Sequence, residues 1–77
     1  MVDITGTNGA DTLEGTDQRD RIDGLSGNDI IYGYGGDDQL VGGAGDDVIY
    51  GGDGDDRFTM NVGGDDTYYG EGGDDQF

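Results

Sequence analysis

The chain contains no cysteine, histidine, lysine, proline or tryptophan. Without cysteine it has no disulfide and no thiol nucleophile, and without cysteine and histidine it cannot build an ordinary zinc site. Without lysine it has neither a Schiff base nor a P-loop. Its single serine, Ser26, has no histidine to activate it. These absences argue against an enzyme.

Positive charge is also scarce. Three arginines face 19 acidic residues in 77, which gives a net charge of -16. Such a chain repels phosphate, so nucleic acid and anionic membranes are excluded as partners. No apolar run is long enough to span a membrane, and the N-terminal residues lack the basic and apolar segments of a signal peptide.

Apolar residues make up only 30% of the chain. Low hydrophobicity and high net charge are typical of disordered chains. A disordered acidic segment without specific metal binding is therefore one interpretation of the composition.

The order of the residues, however, is strongly periodic. Blocks of nine residues begin at Gly6, and one extra residue, Met60, interrupts the phase before it resumes at Asn61. Position 4 is glycine in every block except the second, where Gln18 stands. Position 8 is apolar or aromatic in all blocks: Leu13, Ile22, Ile31, Leu40, Ile49, Phe58, Tyr68 and Phe77. Position 6 is always aspartate: Asp11, Asp20, Asp29, Asp38, Asp47, Asp56, Asp66 and Asp75.

Each block predicts a turn followed by a short strand. Positions 7 to 9 carry β-forming residues, and alternation along a strand places position 8 on one face and its two neighbours on the other. Glycines in positions 1 to 6 permit a tight turn whose carbonyl groups point inwards. Repetition of this unit predicts a parallel coil of chain.

This register resembles the RTX, or hemolysin-type calcium-binding, nonapeptide repeat, G-G-x-G-x-D-x-U-x with U a large apolar residue. The blocks at 42–50 and 51–59 match every fixed position. The resemblance implies an all-β, right-handed parallel β-roll with two repeats per turn and calcium between stacked loops. Residues 6–77 then form the roll, with an incomplete last repeat, and residues 1–5 are a lead-in.

The resemblance also implies the ligands. Position-6 aspartates one turn apart share an ion, which pairs Asp29 with Asp47, Asp38 with Asp56, Asp47 with Asp66, and Asp56 with Asp75. Main-chain carbonyls complete the set, and the expected positions are Gly27, Gly36, Gly43, Gly45, Gly52, Gly54, Gly64 and Gly73. Calcium suits such oxygen ligands better than magnesium does. The expected content is four to six ions.

Three departures from the pattern affect this count. Gln18 and Arg19 replace glycine and a small or acidic residue in block 2, so we expect the site of Asp20 and Asp38 to be weak or empty. Asp11 has no stacked neighbour before it and is expected to fray. Asn61 replaces glycine in block 7, and asparagine tolerates left-handed backbone.

A core of position-8 side chains is too small to offset the entropy of ordering the chain, which predicts that folding requires calcium. The resemblance implies a secreted, extracellular module exported by type I secretion. We expect a fragment of a larger toxin, enzyme or adhesin. A structural or adhesive surface module is the alternative.

Two outward-facing sets of residues have open interpretations. The odd-numbered blocks present Ile30, Tyr32, Val48, Tyr50 and Tyr69, which either stack to stabilise the strands or dock on a neighbouring domain or protein. The acids at position 5 are expected to face solvent and to strengthen the negative field: Asp37, Asp46, Asp55, Asp65 and Asp74.

Overall fold

The computed structural model describes residues 2–59, 64, 66–73 and 75, and in these residues all regular structure is β-strand. The strands are β1 Val2–Thr5, β2 Thr12–Glu14, β3 Asp20–Asp23, β4 Ile30–Tyr32, β5 Gln39–Val41, β6 Val48–Tyr50, β7 Arg57–Thr59 and β8 Thr67–Tyr69. Strands β2 to β8 cover positions 7 to 9 of their blocks, as the sequence predicts, and β3 begins one residue earlier.

Consecutive strands alternate between two parallel sheets. One sheet has the order β1-β3-β5-β7 and the other has the order β2-β4-β6-β8. Ile22 is therefore in register with Leu40, which follows two blocks later, and Leu40 is in register with Phe58. This topology confirms a β-solenoid with two nonapeptides in each turn.

The position-8 side chains fill the space between the sheets. Ile22, Ile31, Leu40 and Ile49 are fully buried, Phe58 is nearly so, and Leu13 and Tyr68 pack against them. Phe58 and Tyr68 meet edge to face, with ring centroids 5.5 Å apart. One apolar residue in nine thus suffices for a continuous core. Phe77 lies outside the described residues.

Strand β1 lies in the segment that the sequence analysis treated as a lead-in. It pairs with β3 so that Ile4 lies opposite Ile22, and Ile4 packs on the core. Ile4 stands nine residues before Leu13, so it continues the position-8 column one step towards the N-terminus. The extra residue Met60 lies outside the described residues, but register is regained beyond it, where Ile49 pairs with Tyr68.

Candidate metal centre

The position-6 aspartates form two columns at the edges of the sheets. Asp20, Asp29, Asp38, Asp47 and Asp56 are buried, although carboxylates are seldom fully buried without a partner. Asp11, Asp66 and Asp75 are half-buried. The structure thus places all eight predicted aspartates at equivalent points of the turn.

From Asp29 onwards, each position-6 aspartate accepts a hydrogen bond from the loop one turn before it. The amide of Asp29 donates to Oδ1 of Asp47 at 2.8 Å, and the amide of Asp38 donates to Oδ1 of Asp56 at 2.9 Å. The same bond joins Asp47 to Asp66 at 2.9 Å. The remaining links of the two columns are Asp11 to Asp29, Asp20 to Asp38 and Asp56 to Asp75. In each pair of aspartates that was predicted to share an ion, the backbone amide of the first therefore donates to the carboxylate of the second.

The second carboxylate oxygen has no such partner in the middle of the array. Oδ2 is buried without a hydrogen bond in Asp29, Asp38, Asp47 and Asp56. A buried oxygen of this kind costs free energy unless a cation or donor meets it. These four atoms therefore indicate where a cation fits.

Burial also shifts the titration of these carboxyl groups. Desolvation raises the pKa of Asp38 and of Asp47 to about 6, and that of Asp56 to about 7. It raises the pKa of Asp29 as well. Hydrogen bonds from the stacked backbone amides oppose the shift, whereas neighbouring carboxylates add to it. Without a cation, these sites hold protons more tightly than exposed aspartates do.

Main-chain oxygens line the gaps between stacked loops. A Cβ added to Gly45 would overlap the carbonyl oxygen of Gly27, and one added to Gly54 would overlap that of Gly36. The carbonyl of each position-4 glycine therefore points towards the loop of the next turn. All eight glycines predicted to contribute carbonyls have a positive φ: Gly27, Gly36, Gly43, Gly45, Gly52, Gly54, Gly64 and Gly73.

Position 1 leaves room for the carboxylate. A Cβ on Gly24 would lie 2.5 Å from Oδ2 of Asp29, and one on Gly42 would lie 2.7 Å from Oδ2 of Asp47. A side chain here would displace the oxygen that lacks a partner. The glycine column thus keeps this part of the loop open.

The first two loops are closed in a different way, which the sequence analysis did not foresee. The amide of Thr7 donates to Oδ2 of Asp11 at 2.7 Å, and its hydroxyl lies 3.0 Å from both carboxylate oxygens. Thr16 makes the same three contacts with Asp20, at 2.7, 3.0 and 3.1 Å. The sequence feature that could have indicated this hydrogen bonding is the threonine at position 2 of blocks 1 and 2, because blocks 5 and 6 have glycine there.

This arrangement gives the predicted weak site at Asp20 a new physical basis. The sequence analysis predicts weak calcium binding there from Gln18 and Arg19. In the structure, the amide and hydroxyl of Thr16 instead hydrogen-bond the Asp20 carboxylate. Arg19 is exposed and lies in a shallow depression with Arg57 and Asp55. The occupancy of the site itself stays a prediction.

The position-5 residues are exposed, as expected, and some also join the loops. Oδ1 of Asp37 accepts the amide of Asp55 at 2.8 Å, and Oδ1 of Asn28 accepts that of Asp46 at 2.8 Å. Asp65 and Asp74 lie outside the described residues. Position 5 therefore stabilises the stacking of loops besides carrying charge.

The donor set is carboxylate and carbonyl oxygen. Within the described ranges, no three acidic side chains gather into one cluster, so any ion there depends on main-chain oxygens. Buried carboxylate oxygens without partners, together with main-chain carbonyl oxygens in the gaps between loops, are the type of ligand that a hard cation such as calcium takes. The residues present thus suit calcium.

The outward face of the odd-numbered blocks carries a tyrosine ladder, which we define as Tyr32, Tyr50 and Tyr69. Neighbouring rings stack with centroids 5.0 and 4.9 Å apart. The rings follow the strand register, because Tyr32 pairs with Tyr50 and Tyr50 with Tyr69. The ladder therefore supports the strands, and Tyr69 remains 47% exposed.

Comparison with known families gives a match to the RTX calcium-binding nonapeptide repeat. The family model, which is described as four copies of the nonapeptide, matches residues 5–40, 32–59 and 63–77. Neither the curated proteins nor the solved structures give a significant match. In the described part of the chain, no helix has the length and apolar character needed to cross a bilayer.

Proposed function

Because the chain belongs to the RTX calcium-binding nonapeptide repeat family, whose members bind calcium, we propose that its loops bind four calcium ions and that this binding drives folding of the roll. The observation that carries the proposal is the buried, unpartnered Oδ2 of Asp29, Asp38, Asp47 and Asp56. Each begins one of the four pairs of stacked aspartates outside the threonine-closed loops.

The ligands would come from two stacked loops. In the gap between loops 3 and 5, Asp29 and Asp47 supply carboxylates, while Gly27, Gly43 and Gly45 supply carbonyls. The next gap has the same set one block further along, and the two gaps after it would use the position-4 glycines Gly45, Gly54, Gly64 and Gly73. Bound calcium supplies positive charge that offsets the desolvation of the carboxylates and their mutual repulsion.

Such binding is linked to folding. The stacked loops exist only in the roll, so an ion that needs them binds the folded chain and stabilises it by mass action. Without the ion, buried acids oppose a core that, in the part of the chain that the structure describes, has five buried apolar side chains. We therefore infer that the metal-free chain is largely unfolded at neutral pH.

A module of this type is suited to export. We infer that it stays unfolded where calcium is scarce, passes through a type I secretion channel, and folds outside the cell. The RTX family is typical of larger secreted proteins, so we place this module in a toxin, enzyme or adhesin. Its own role is calcium binding rather than catalysis.

Circular dichroism provides the test. We expect titration from EDTA to about 10 mM CaCl₂, a range that spans extracellular calcium affinities, to give a cooperative transition from coil to β-structure. MgCl₂ should produce little change. A matched variant carrying asparagine at positions 29, 38, 47 and 56 should lose the transition. A metal-free chain that is already folded at pH 7.5, or equal responses to both metals, would contradict the proposal.

A further inference from the structure

A groove of about 440 Å³ lies beside the tyrosine ladder, on the edge formed by the even-numbered loops. Its shape follows from position 2 of those loops, where Tyr34, Gly52 and Glu71 succeed one another along the roll. A Cβ on Gly52 would overlap the carbonyl oxygen of Tyr34, so the two residues are in direct contact. Since Gly52 has no side chain, the space between Tyr34 and Glu71 stays open.

The apolar wall of the groove is held in place before any ligand arrives. The Tyr32 and Tyr50 rings are nearly parallel, at 4°, and the Tyr34 ring stacks on Tyr32 with centroids 5.8 Å apart. The Tyr34 hydroxyl donates to Oε1 of Glu14 at 2.5 Å, which fixes its far end. Aromatic side chains fixed in this way lose little entropy when a ligand packs on them.

The polar part of the groove has one sign of charge. Asp17, Asp53 and Glu71 line it, and no arginine does. Within the described ranges, none of these three carboxylates accepts a hydrogen bond or forms an ion pair. Arg19 and Arg57 line a separate depression and so leave the charge of the groove uncompensated. A ligand that complements the groove must carry a positive charge and an apolar stem.

We propose that the groove between the tyrosine ladder and the even-numbered loops binds an arginine side chain of a partner polypeptide. The guanidinium group meets the carboxylates of Asp17, Asp53 and Glu71, and the alkyl stem packs on the tyrosine rings. Beyond the groove, Tyr69 stacks on the lining residue Tyr50 at 4.9 Å and is 47% exposed. This exposed ring next to the groove favours a polypeptide over a free amine. The site goes beyond calcium binding and uses none of the proposed calcium ligands as a charged contact.

Isothermal titration calorimetry on the folded protein at saturating calcium tests the site. The probe is an acetylated and amidated Gly-Arg-Gly-Arg-Gly peptide, and the control peptide has citrulline in place of arginine, which keeps the shape without the charge. We expect saturable binding of the arginine peptide only. Equal binding of the citrulline peptide, tighter binding of spermidine than of the arginine peptide, or no saturable heat would overturn the proposal.

Two variants locate the binding. Tyr34→Gly removes one wall and is compatible with the fold, because Gly43 and Gly52 occupy the same position in other loops with φ of 81° and 80°. We expect it to weaken binding roughly fivefold, as the loss of an aromatic contact does. Asp53→Asn should weaken binding roughly threefold, which is typical of an exposed ion pair.

The matched control is Asp3→Asn, which removes the same charge from an exposed site outside the groove lining. It should leave the affinity unchanged. Equal weakening by Asp3→Asn and Asp53→Asn would attribute binding to the overall negative field and overturn the site. Circular dichroism of each variant at saturating calcium reports folding separately, so a failure of calcium-driven folding is distinguished from a failure of the groove.

Discussion

The first two loops and the four loops that follow them each contain a position-6 aspartate, but the hydrogen bonding of its carboxylate differs between the two groups of loops. In loops 1 and 2, threonine donates to the carboxylate through both its amide and its hydroxyl. In loops 3 to 6, one carboxylate oxygen is buried without any donor. In the first part of the roll the carboxylates are satisfied by the polypeptide itself, whereas the second part leaves oxygens without partners, where we propose that calcium binds.

The backbone at position 2 explains the difference. Leu25, Tyr34, Gly43 and Gly52 have a positive φ there, whereas Thr7 and Thr16 do not. With the threonine conformation, the position-2 amide reaches the carboxylate of the same loop. Loops with a left-handed residue form no such bond. The identity and conformation of one residue therefore separate a hydrogen-bonded turn from a candidate calcium loop.

The largest effect on calcium binding should come from removing a position-6 carboxylate in loops 3 to 6. Asp47 borders two proposed ion gaps, so Asp47→Asn should weaken calcium binding roughly tenfold at each, since ligand charge sets affinity. Asp20→Asn should leave the calcium midpoint of the circular dichroism transition nearly unchanged, because Thr16 already occupies that carboxylate. Similar shifts for both variants would abolish the distinction between the loops.

The stability of the metal-free roll should depend on pH. A carboxyl whose pKa is higher in the folded than in the unfolded chain takes up protons on folding. The pKa values of Asp38 and Asp47, about 6, and of Asp56, about 7, lie above the unfolded value of 3.8. The metal-free roll should therefore lose stability as the pH rises from about 4 to about 7.

The same protons compete with calcium. At pH 5 a group with a pKa of about 6 is mostly protonated, so the apparent calcium affinity at its site should fall roughly tenfold relative to pH 7.5. Calorimetry in two buffers of different ionisation enthalpy should detect proton release when calcium binds at pH 6. Absence of proton release would show that these carboxylates are not the ligands.

A smaller effect is expected from changing the threonine that hydrogen-bonds the aspartate in loop 2. Thr16→Ala removes the hydroxyl that donates to buried Asp20, and we expect a loss of about 1–3 kcal/mol in the free energy of unfolding. Thr16→Ser keeps the hydroxyl and should retain most of the stability. Urea unfolding of the calcium-loaded protein measures both. If alanine and serine behave alike, the hydroxyl contributes nothing to closure.

The smallest expected effect on stability concerns backbone strain at position 2 of loop 3. Leu25 has a φ of 66°, in the left-handed region that costs a side chain roughly 1 kcal/mol or more. It is 38% exposed, so Leu25→Gly loses little burial and should raise stability by about 0.5–1 kcal/mol. Leu25→Ala, which keeps the strain, serves as the control. No difference between the two variants would mean that this φ carries no cost.

Much of this architecture could be predicted because each column of the repeat has one physical role. The inward position of Ile22 and the equivalent placement of Asp29 and Asp47 follow from the nine-residue period. The apolar column of the period extends to Ile4, but the aspartate column does not, because Val2 stands where position 6 would fall, and so the repeat was expected to begin at Gly6. Nor did it reveal the role of Thr7 and Thr16, which depends on the hydroxyl and also on the backbone conformation at position 2.

The bonds between stacked aspartates all run in one direction. The amide of Asp29 depends on the carboxylate of Asp47, which lies 18 residues later, and the amide of Asp47 depends on Asp66 in the same way. A loop is therefore completed only when the second block after it is in place. If the chain passes through a pore from one end, the order in which its blocks emerge determines which amides lack their carboxylate acceptor until later blocks arrive. The roll thus has a direction, because each of these loops is held by a loop that lies later in the chain.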